Sequence, residues 1–186
     1  MPYFPLVFTL PDALDPIALA NPRVVYDLLL RSAAETVLEL AADPQLLGAQ
    51  TGVLAVLHTW GQNLQFHPHV HCVVPGGGLS PDGTHWVGSP RNFFLPVRVL
   101  SRVFRGKFLA GLRAAFAKGE VRFKADQFDQ ALSVAAHTDW VVYAKPPFGG
   151  PEQVLKYLAR YTHRVAISNA RLLDLEDGMV RFRSKD

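Results

Sequence analysis

Three of the seven histidines fall within five residues, as His67, His69 and His71 in the string HPHVHC. Side chains alternate between the two faces of an extended strand, so His69 and His71 point to the same side, about 7 Å apart along the chain. Val70 and Cys72 then point to the other side. Two neutral imidazoles on one face suit a divalent ion, which needs a third ligand from a neighbouring strand.

The hairpin register supplies a candidate for that third ligand. If the run from 53 to 59 pairs with the run from 68 to 74 across the intervening turn, His58 lies roughly opposite His69. The alternative is a pair of solvent-facing histidines that hold no metal. We expect the remaining histidines to be surface or hydrogen-bonding side chains: His85, His137 and His163.

Two tyrosines near the end of the chain form the second reactive group. Tyr157 and Tyr161 are four residues apart, and residues at this spacing project from the same face of a helix. Arg160 and Arg164 lie beside them. Apolar residues near the same stripe leave open that the tyrosines cover a core, whereas the two arginines argue against it.

Together the two groups point to one chemistry. A phenol has a pKa of about 10 and is a poor nucleophile. It can attack a phosphodiester whose charge a metal neutralises and whose leaving oxygen lies in line. Histidines for a metal, a helical tyrosine and a basic surface are the parts of a DNA-nicking enzyme.

The basic surface is predicted from an uneven distribution of charge. The chain has a net charge of +3, but residues 91–124 carry nine basic side chains and one acidic, against two and seven in residues 1–90. Such a stripe favours a polyanionic partner. The alternative is a solvated helix face rich in arginine. The candidate DNA contacts on the predicted helix here are Arg98, Arg102 and Arg105.

Hydrophobic periodicity and turn residues predict the elements that position these groups. Strands are predicted at 3–10, 52–59, 69–74 and 140–144, helices at 22–42, 96–118 and 151–164, a small hairpin within 79–92 and two short strands around 176–178. The order β, α, β, β, α, β, α favours an α+β fold with a ferredoxin-like antiparallel sheet. We expect the helices to lie on one face of it.

Composition limits the class of protein. The 186 residues are 49% hydrophobic and include one cysteine, which predicts one soluble globular domain and excludes collagen, disorder and disulfide scaffolds. No apolar run is long enough for a membrane span, and no signal peptide is recognisable. We therefore expect a cytoplasmic protein.

The histidine and tyrosine motifs of this sequence resemble those of the HUH single-strand endonucleases. Within that group they resemble the two-tyrosine rolling-circle transposases of bacterial insertion sequences, which are relatives of the Helitron transposases. The string from Phe8 to Pro11 (FTLP) is similar to the family's first-strand motif, and HVH at residues 69–71 to its metal motif. Tyr157-x-x-x-Tyr161 followed by RVAIS is similar to the two-tyrosine helix. The resemblance covers nearly the whole chain.

The resemblance implies transposition through single-stranded DNA, next to a hairpin at the transposon end. His69 and His71 would hold Mg²⁺ or Mn²⁺ at the scissile phosphate. Tyr157 or Tyr161 would attack, leaving a 5′-phosphotyrosine and a free 3′-OH, and the other tyrosine would serve the second transfer. The residues implied to hold the DNA backbone are Arg160 and Arg164.

The third metal ligand varies in position in this family, and His58, Gln62 and Gln65 all qualify here. We prefer His58 from the hairpin register. His67 would then orient the metal ligands without binding the ion itself, or contact a DNA phosphate.

The resemblance also divides the chain, with residues 1–165 as the HUH catalytic domain and 166–186 as the start of a truncated β extension, the family's amino-terminal zinc-binding region being absent. Two other functions remain open. A catalytically inactive remnant would only bind DNA. A metal-dependent hydrolase or dioxygenase would use a carboxylate ligand and form no adduct with DNA.

Overall fold

The computed structural model describes residues 1–61, 64–90, 92–162, 171–176 and 178–183, with the side chains of 160–162 and 175 left out. Its helices and strands, in chain order, are β1 (Pro2–Thr9), α1 (Asp15–Ala20), α2 (Pro22–Ala42), β2 (Leu54–Trp60), β3 (Phe66–Pro75), β4 (Gly77–Leu79), β5 (Trp86–Gly88), α3 (Val97–Ala117), α4 (Ala125–His137), β6 (Val142–Ala144), β7 (Phe148–Gly149), α5 (Pro151–Thr162), β8 (Leu172–Glu176) and β9 (Met179–Phe182). The predicted strands, hairpins and three long helices are confirmed to within a few residues.

One antiparallel sheet organises the fold. Its strands lie in the order β2-β3-β1-β6, and β7 adds to β1 beyond the end of β6. The central pair, β1 and β3, runs in register from Tyr3 opposite Pro75 to Thr9 opposite His69. The order along the chain, β1-α2-β2-β3-α3-β6, is the split βαβ arrangement of ferredoxin-like folds. The predicted α+β class and ferredoxin-like sheet are confirmed.

The hydrophobic core lies on one face of this sheet. Phe4, Leu6 and Phe8 alternate along β1 and are almost completely buried, and Cys72 lies opposite Leu6 in the register. Helices α2 and α3 cover this face and pack on each other, with the Phe8 and Phe104 rings 5.0 Å apart. Burial of these apolar side chains is the main stabilising contribution to the fold.

Helix α5 lies on the opposite face, so the expectation that all helices share one face is wrong. Its Tyr157 contacts His71, which points away from the core. The turn before the helix explains the placement, because Gly150 has φ +81°. This left-handed conformation lets the chain turn immediately after β7, so that α5 lies over the histidine face of the sheet.

Two helices were not predicted. Helix α4 occupies a stretch left unassigned, although its buried residues Phe128, Leu132 and Ala135 recur at helical spacing. Helix α1 has only six residues and gives too short a pattern. Within the described residues, no helix combines the length and apolar character that crossing a bilayer requires.

Asn21 precedes α2, but its side chain does not cap that helix. The amide nitrogen donates to the carbonyls of Ile17 (3.0 Å) and Arg122 (3.2 Å), and the amide oxygen accepts from the Arg122 backbone N–H (2.7 Å). This buried side chain therefore joins the end of α1 to the segment after α3, and its polar atoms are satisfied.

Candidate functional site

Three histidines converge on the sheet face that α5 covers. His58 on β2 lies opposite His69 on β3, and His71 follows two residues later on the same face. The rings of His69 and His71 are 4.9 Å apart between centroids, and His58 is 5.5 Å from the first and 5.3 Å from the second. One nitrogen from each lies within 4.8 Å of the others. Among the described residues, no other set of three histidine, cysteine or acidic side chains is close enough to share an ion.

The core fixes this orientation of the histidines. Val70 and Cys72 are buried against α2 and α3 opposite Phe8 and Leu6. A shift of one residue in register would move these apolar side chains out of the core, so the intervening histidines are held on the other face.

Burial keeps the two β3 imidazoles neutral. His69 and His71 are only 9% and 7% exposed, and removal from water lowers their pKa values to about 4 and about 3. The neighbouring histidines lower both pKa values further, while a hydrogen bond to the His67 carbonyl partly raises that of His69. At neutral pH both rings are uncharged, and each has a nitrogen lone pair that can bind a cation.

A backbone hydrogen bond sets the tautomer of His69. Its Nδ1 lies 2.6 Å from the His67 carbonyl oxygen, which can only accept, so Nδ1 carries the proton and Nε2 carries the lone pair. Metal-binding histidines commonly use such a second hydrogen bond to fix the ring. The His67 side chain lies beside His69, with ring centroids 5.3 Å apart.

Tyr157 faces this cluster from α5. Its hydroxyl oxygen lies 3.1 Å from Nδ1 of His71, and its ring packs beside Phe148 at 5.5 Å. The side chain is 9% exposed. The alternative in which the tyrosines cover a core also required burial. Tyr157, however, is buried against the histidines and not within the apolar core.

The structure leaves several predicted site residues undescribed. Tyr161 and Arg160 belong to α5, but their side chains lie outside the description, and so do all atoms of Gln62, His163 and Arg164. Gln65 is exposed and lines an adjoining cavity of about 520 Å³. The other residues lining that cavity are Asp12, Asp15, Gly61, Phe66 and His67.

The basic helix lies on the other side of the sheet. Phe104 packs α3 against Phe8 on the core face, so this helix is separated from the histidines by the sheet itself. Arg98 and Arg102 are exposed there, and Arg105 donates to the Thr138 carbonyl at 3.3 Å. The structure therefore does not bring these arginines together with the histidine cluster.

Two residues near the cluster were not singled out in the sequence. Tyr143 lies opposite Val7, which itself lies opposite His71, and Lys145 donates its backbone N–H to the Pro5 carbonyl. The Lys145 charge also lowers the pKa of His71. Strand alternation along residues 141–145 places Tyr143 and Lys145 on one face of the sheet. The pairing with β1 was needed to show that this is the histidine face.

Comparison with known proteins identifies the family to which this chain belongs. Residues 52–186 match the family described as "Putative transposase", and the chain belongs to that transposase family. The family resemblance seen in the sequence motifs is confirmed.

Individual relatives agree with this assignment. The chain is 59% identical to "Putative transposase y4qJ" of Sinorhizobium fredii, over 99% of this chain and 48% of the relative. It is 28% identical to the transposase for insertion sequence element IS801 of Pseudomonas savastanoi pv. phaseolicola, over 100% and 45%. The chain thus spans about half the length of these curated relatives. Among solved structures, the conjugative relaxase TrwC in complex with oriT DNA, in its metal-bound form, is 13% identical, with coverage of 83% and 68% and a TM-score of 0.48.

Proposed function

We propose that this chain is the DNA-nicking and strand-transferring part of a transposase, with Tyr157 as a nucleophile beside a divalent cation. The observation that carries the proposal is the 3.1 Å contact between the Tyr157 hydroxyl and His71, a member of the three-histidine cluster. A phenol from α5 and converging imidazole nitrogens from β2 and β3 are thus brought together. Membership in a transposase family supports DNA as the substrate.

The donor set fits a divalent cation held by His58, His69 and His71. All three are imidazoles whose nitrogens converge, and burial keeps the two on β3 neutral. Nitrogen donors bind transition ions better than Mg²⁺, so we infer Mn²⁺ as the better of the two expected ions. A cation bound there would polarise the scissile phosphate and neutralise part of its charge. The cluster contains no carboxylate, which disfavours the dioxygenase type of site.

The hydrogen bond between His71 and Tyr157 orients the nucleophile. If Nε2 of His71 binds the cation, its Nδ1 carries the proton and donates to the phenol oxygen. Such a donor stabilises the phenolate that must form during attack. The phenol oxygen then bonds to phosphorus while the bond from phosphorus to the 3′ oxygen breaks. The phenol proton goes to solvent, and the departing 3′ oxygen takes one up.

The remaining predicted residues complete the proposal. Tyr161 lies one turn beyond Tyr157 on α5 and would serve the second strand transfer, while Arg160 and Arg164 would hold backbone phosphates. His67 would support His69 through its carbonyl. We propose residues 1–165 as the nicking unit; its end at residue 165 lies outside the described residues.

A covalent-adduct experiment tests this function. The protein is incubated with Mn²⁺ and labelled single-stranded DNA from the ends of its insertion sequence, and adducts are resolved on a denaturing gel. We expect Tyr157→Phe to reduce the adduct and the double variant Tyr157→Phe, Tyr161→Phe to abolish it. The matched control is Tyr26→Phe, since Tyr26 belongs to α2 on the other face of the sheet. An adduct formed by the double variant would exclude both tyrosines, and binding without any adduct from the unaltered protein would favour the inactive remnant.

A further inference from the structure

Three side chains, one on β6 and one just beyond each of its ends, lie on the same face of the sheet as the histidines. Thr9 lies opposite His69 on one side and donates its backbone N–H to the Val141 carbonyl on the other. Val7 lies between His71 and Tyr143 in the same way. Lys145 follows two residues later, and alternation places it on the same face. The three side chains Val141, Tyr143 and Lys145 are called the β6 strip below.

Helix α5 leaves the β6 strip uncovered. Val141 is 62% exposed and Tyr143 is 54% exposed, and Lys145 is exposed as well. Within the described part of the chain, the Tyr143 ring forms no aromatic contact and its hydroxyl no hydrogen bond. Tyr143 therefore presents an exposed aromatic ring on the same sheet face as the histidines.

The two ends of the β6 strip differ in charge. Lys145 lies at one end, where its backbone N–H donates to the Pro5 carbonyl of β1 at 3.0 Å. At the other end, Val141 borders a small cavity of about 210 Å³ whose lining includes Asp12 and Asp139. A phosphate is favoured at the Lys145 end and repelled at the acidic end.

We propose that the β6 strip is the floor on which single-stranded DNA lies next to the cleavage site, with a nucleobase stacked on Tyr143 and a backbone phosphate on Lys145. This inference rests on the proposed nicking function, and it names two positioning residues for its substrate. Proteins that bind single strands combine aromatic platforms with basic groups along the backbone. The bases inside a duplex are already stacked on their neighbours and have no free face. The occupant is therefore a single strand.

Binding without cleavage tests the proposal. EDTA keeps the strand intact, and the probe is a fluorescein-labelled single strand of thymidines, since stacking tolerates any base. We expect Tyr143→Ala to weaken binding by about 5- to 150-fold and Tyr143→Phe, which keeps the ring, to leave it nearly unchanged. Lys145→Gln should lower the slope of log affinity against log salt by about 0.7, which is the loss of one phosphate contact.

Controls separate this proposal from the nicking function. Phe93→Ala removes an aromatic of similar exposure, 51%, in the loop before α3 and should not change the affinity. A second readout is the fluorescence of a 2-aminopurine placed in the strand, which stacking on Tyr143 quenches and Tyr143→Ala restores. Equal affinity and equal quenching in Tyr143→Ala and the unaltered protein would overturn the proposal. Weakened binding by Tyr143→Ala supports it even if the unaltered protein forms no covalent adduct, in which case only the nicking function fails.

Discussion

His71 lies between the other two histidines of the cluster and Tyr157, so in the proposed reaction it connects the cation ligands to the nucleophile. It shares the cluster with His58 and His69 and also contacts the Tyr157 hydroxyl. Loss of this imidazole would therefore remove a cation ligand and the group that orients the phenol. Neither role contributes much to holding the DNA, because affinity for a nucleic acid comes chiefly from backbone phosphate contacts.

We therefore expect the double variant His69→Ala, His71→Ala to lower adduct formation by about 100-fold or more, the scale of losing a preorganised electrostatic contact at a reacting centre. Binding of single-stranded DNA in EDTA should change by no more than about 2-fold, since the phosphate contacts remain. Adduct yield on denaturing gels and fluorescence anisotropy measure the two quantities. His85→Ala is the control, because His85 lies in an exposed turn bonded to Thr84. Full adduct formation by the double variant would remove the histidines from the reaction.

Cys72 provides a test of the buried side of the same strand. Its side chain is fully buried, and burial raises the pKa of the thiol to about 12. Because only the thiolate reacts, iodoacetamide at pH 8 should modify the native protein far more slowly than the protein in urea, where the pKa returns to about 8.5. As pH rises through 8.5 the unfolded thiol ionises first, so the free energy of unfolding should fall. Mass spectrometry measures the modification, and equal rates in both states would place Cys72 outside the core.

At the scale of elements, the placement of α5 depends on the turn that precedes it. Gly150 has φ +81°, whereas Gly149 lacks a positive φ, and a Cβ at either position meets nothing within 4 Å. Gly150→Ala should lower the free energy of unfolding by about 1–2 kcal/mol through backbone strain alone. Gly149→Ala, the matched control, should cause no loss of stability. Urea denaturation measures both variants, and equal stabilities would show that the turn does not depend on the left-handed residue.

The same elements show which features the sequence could predict. Pairing of His58 with His69 was predictable, because hairpin register follows from strand alternation and a short turn. The position of α5 over the histidines was not, since the side of the sheet to which a helix returns depends on turn geometry and tertiary packing. Helix α4 was missed despite a readable pattern at Phe128, Leu132 and Ala135. The placement of Tyr143 on the histidine face needed the β1–β6 register, which no local pattern contains.

At the scale of the whole molecule, the sheet separates two candidate DNA-binding regions. The β6 strip adjoins the histidines, whereas Arg98 and Arg102 project from α3 in the layer behind the core face. If both regions bind DNA, the β6 strip as proposed and α3 as the charge distribution of the sequence predicts, they contact different parts of the substrate. A short single strand would reach only the first region.

We therefore expect Arg98→Gln, Arg102→Gln to weaken binding of a long, hairpin-bearing DNA and to reduce its salt slope by up to about 1.8, or about 0.9 per lost contact with duplex. Affinity for a short single strand should stay nearly constant. Anisotropy titrations over a range of salt concentrations measure both substrates. Arg181→Gln serves as the control, because Arg181 is paired with Asp174 and Glu176 in the β8–β9 hairpin. Equal losses on the two substrates would show that α3 and the histidines contact the same stretch of DNA.

The contact between His71 and Tyr157 joins residues 86 positions apart in the chain, and this separation has a consequence during translation. Ribosomes add roughly 5 to 20 residues per second, so several seconds pass between synthesis of the histidine strand and synthesis of the phenol. During that interval the nascent chain has the three histidines but not Tyr157. If Tyr157 is the nucleophile, as proposed, a chain released before α5 could form no covalent adduct with DNA through that residue.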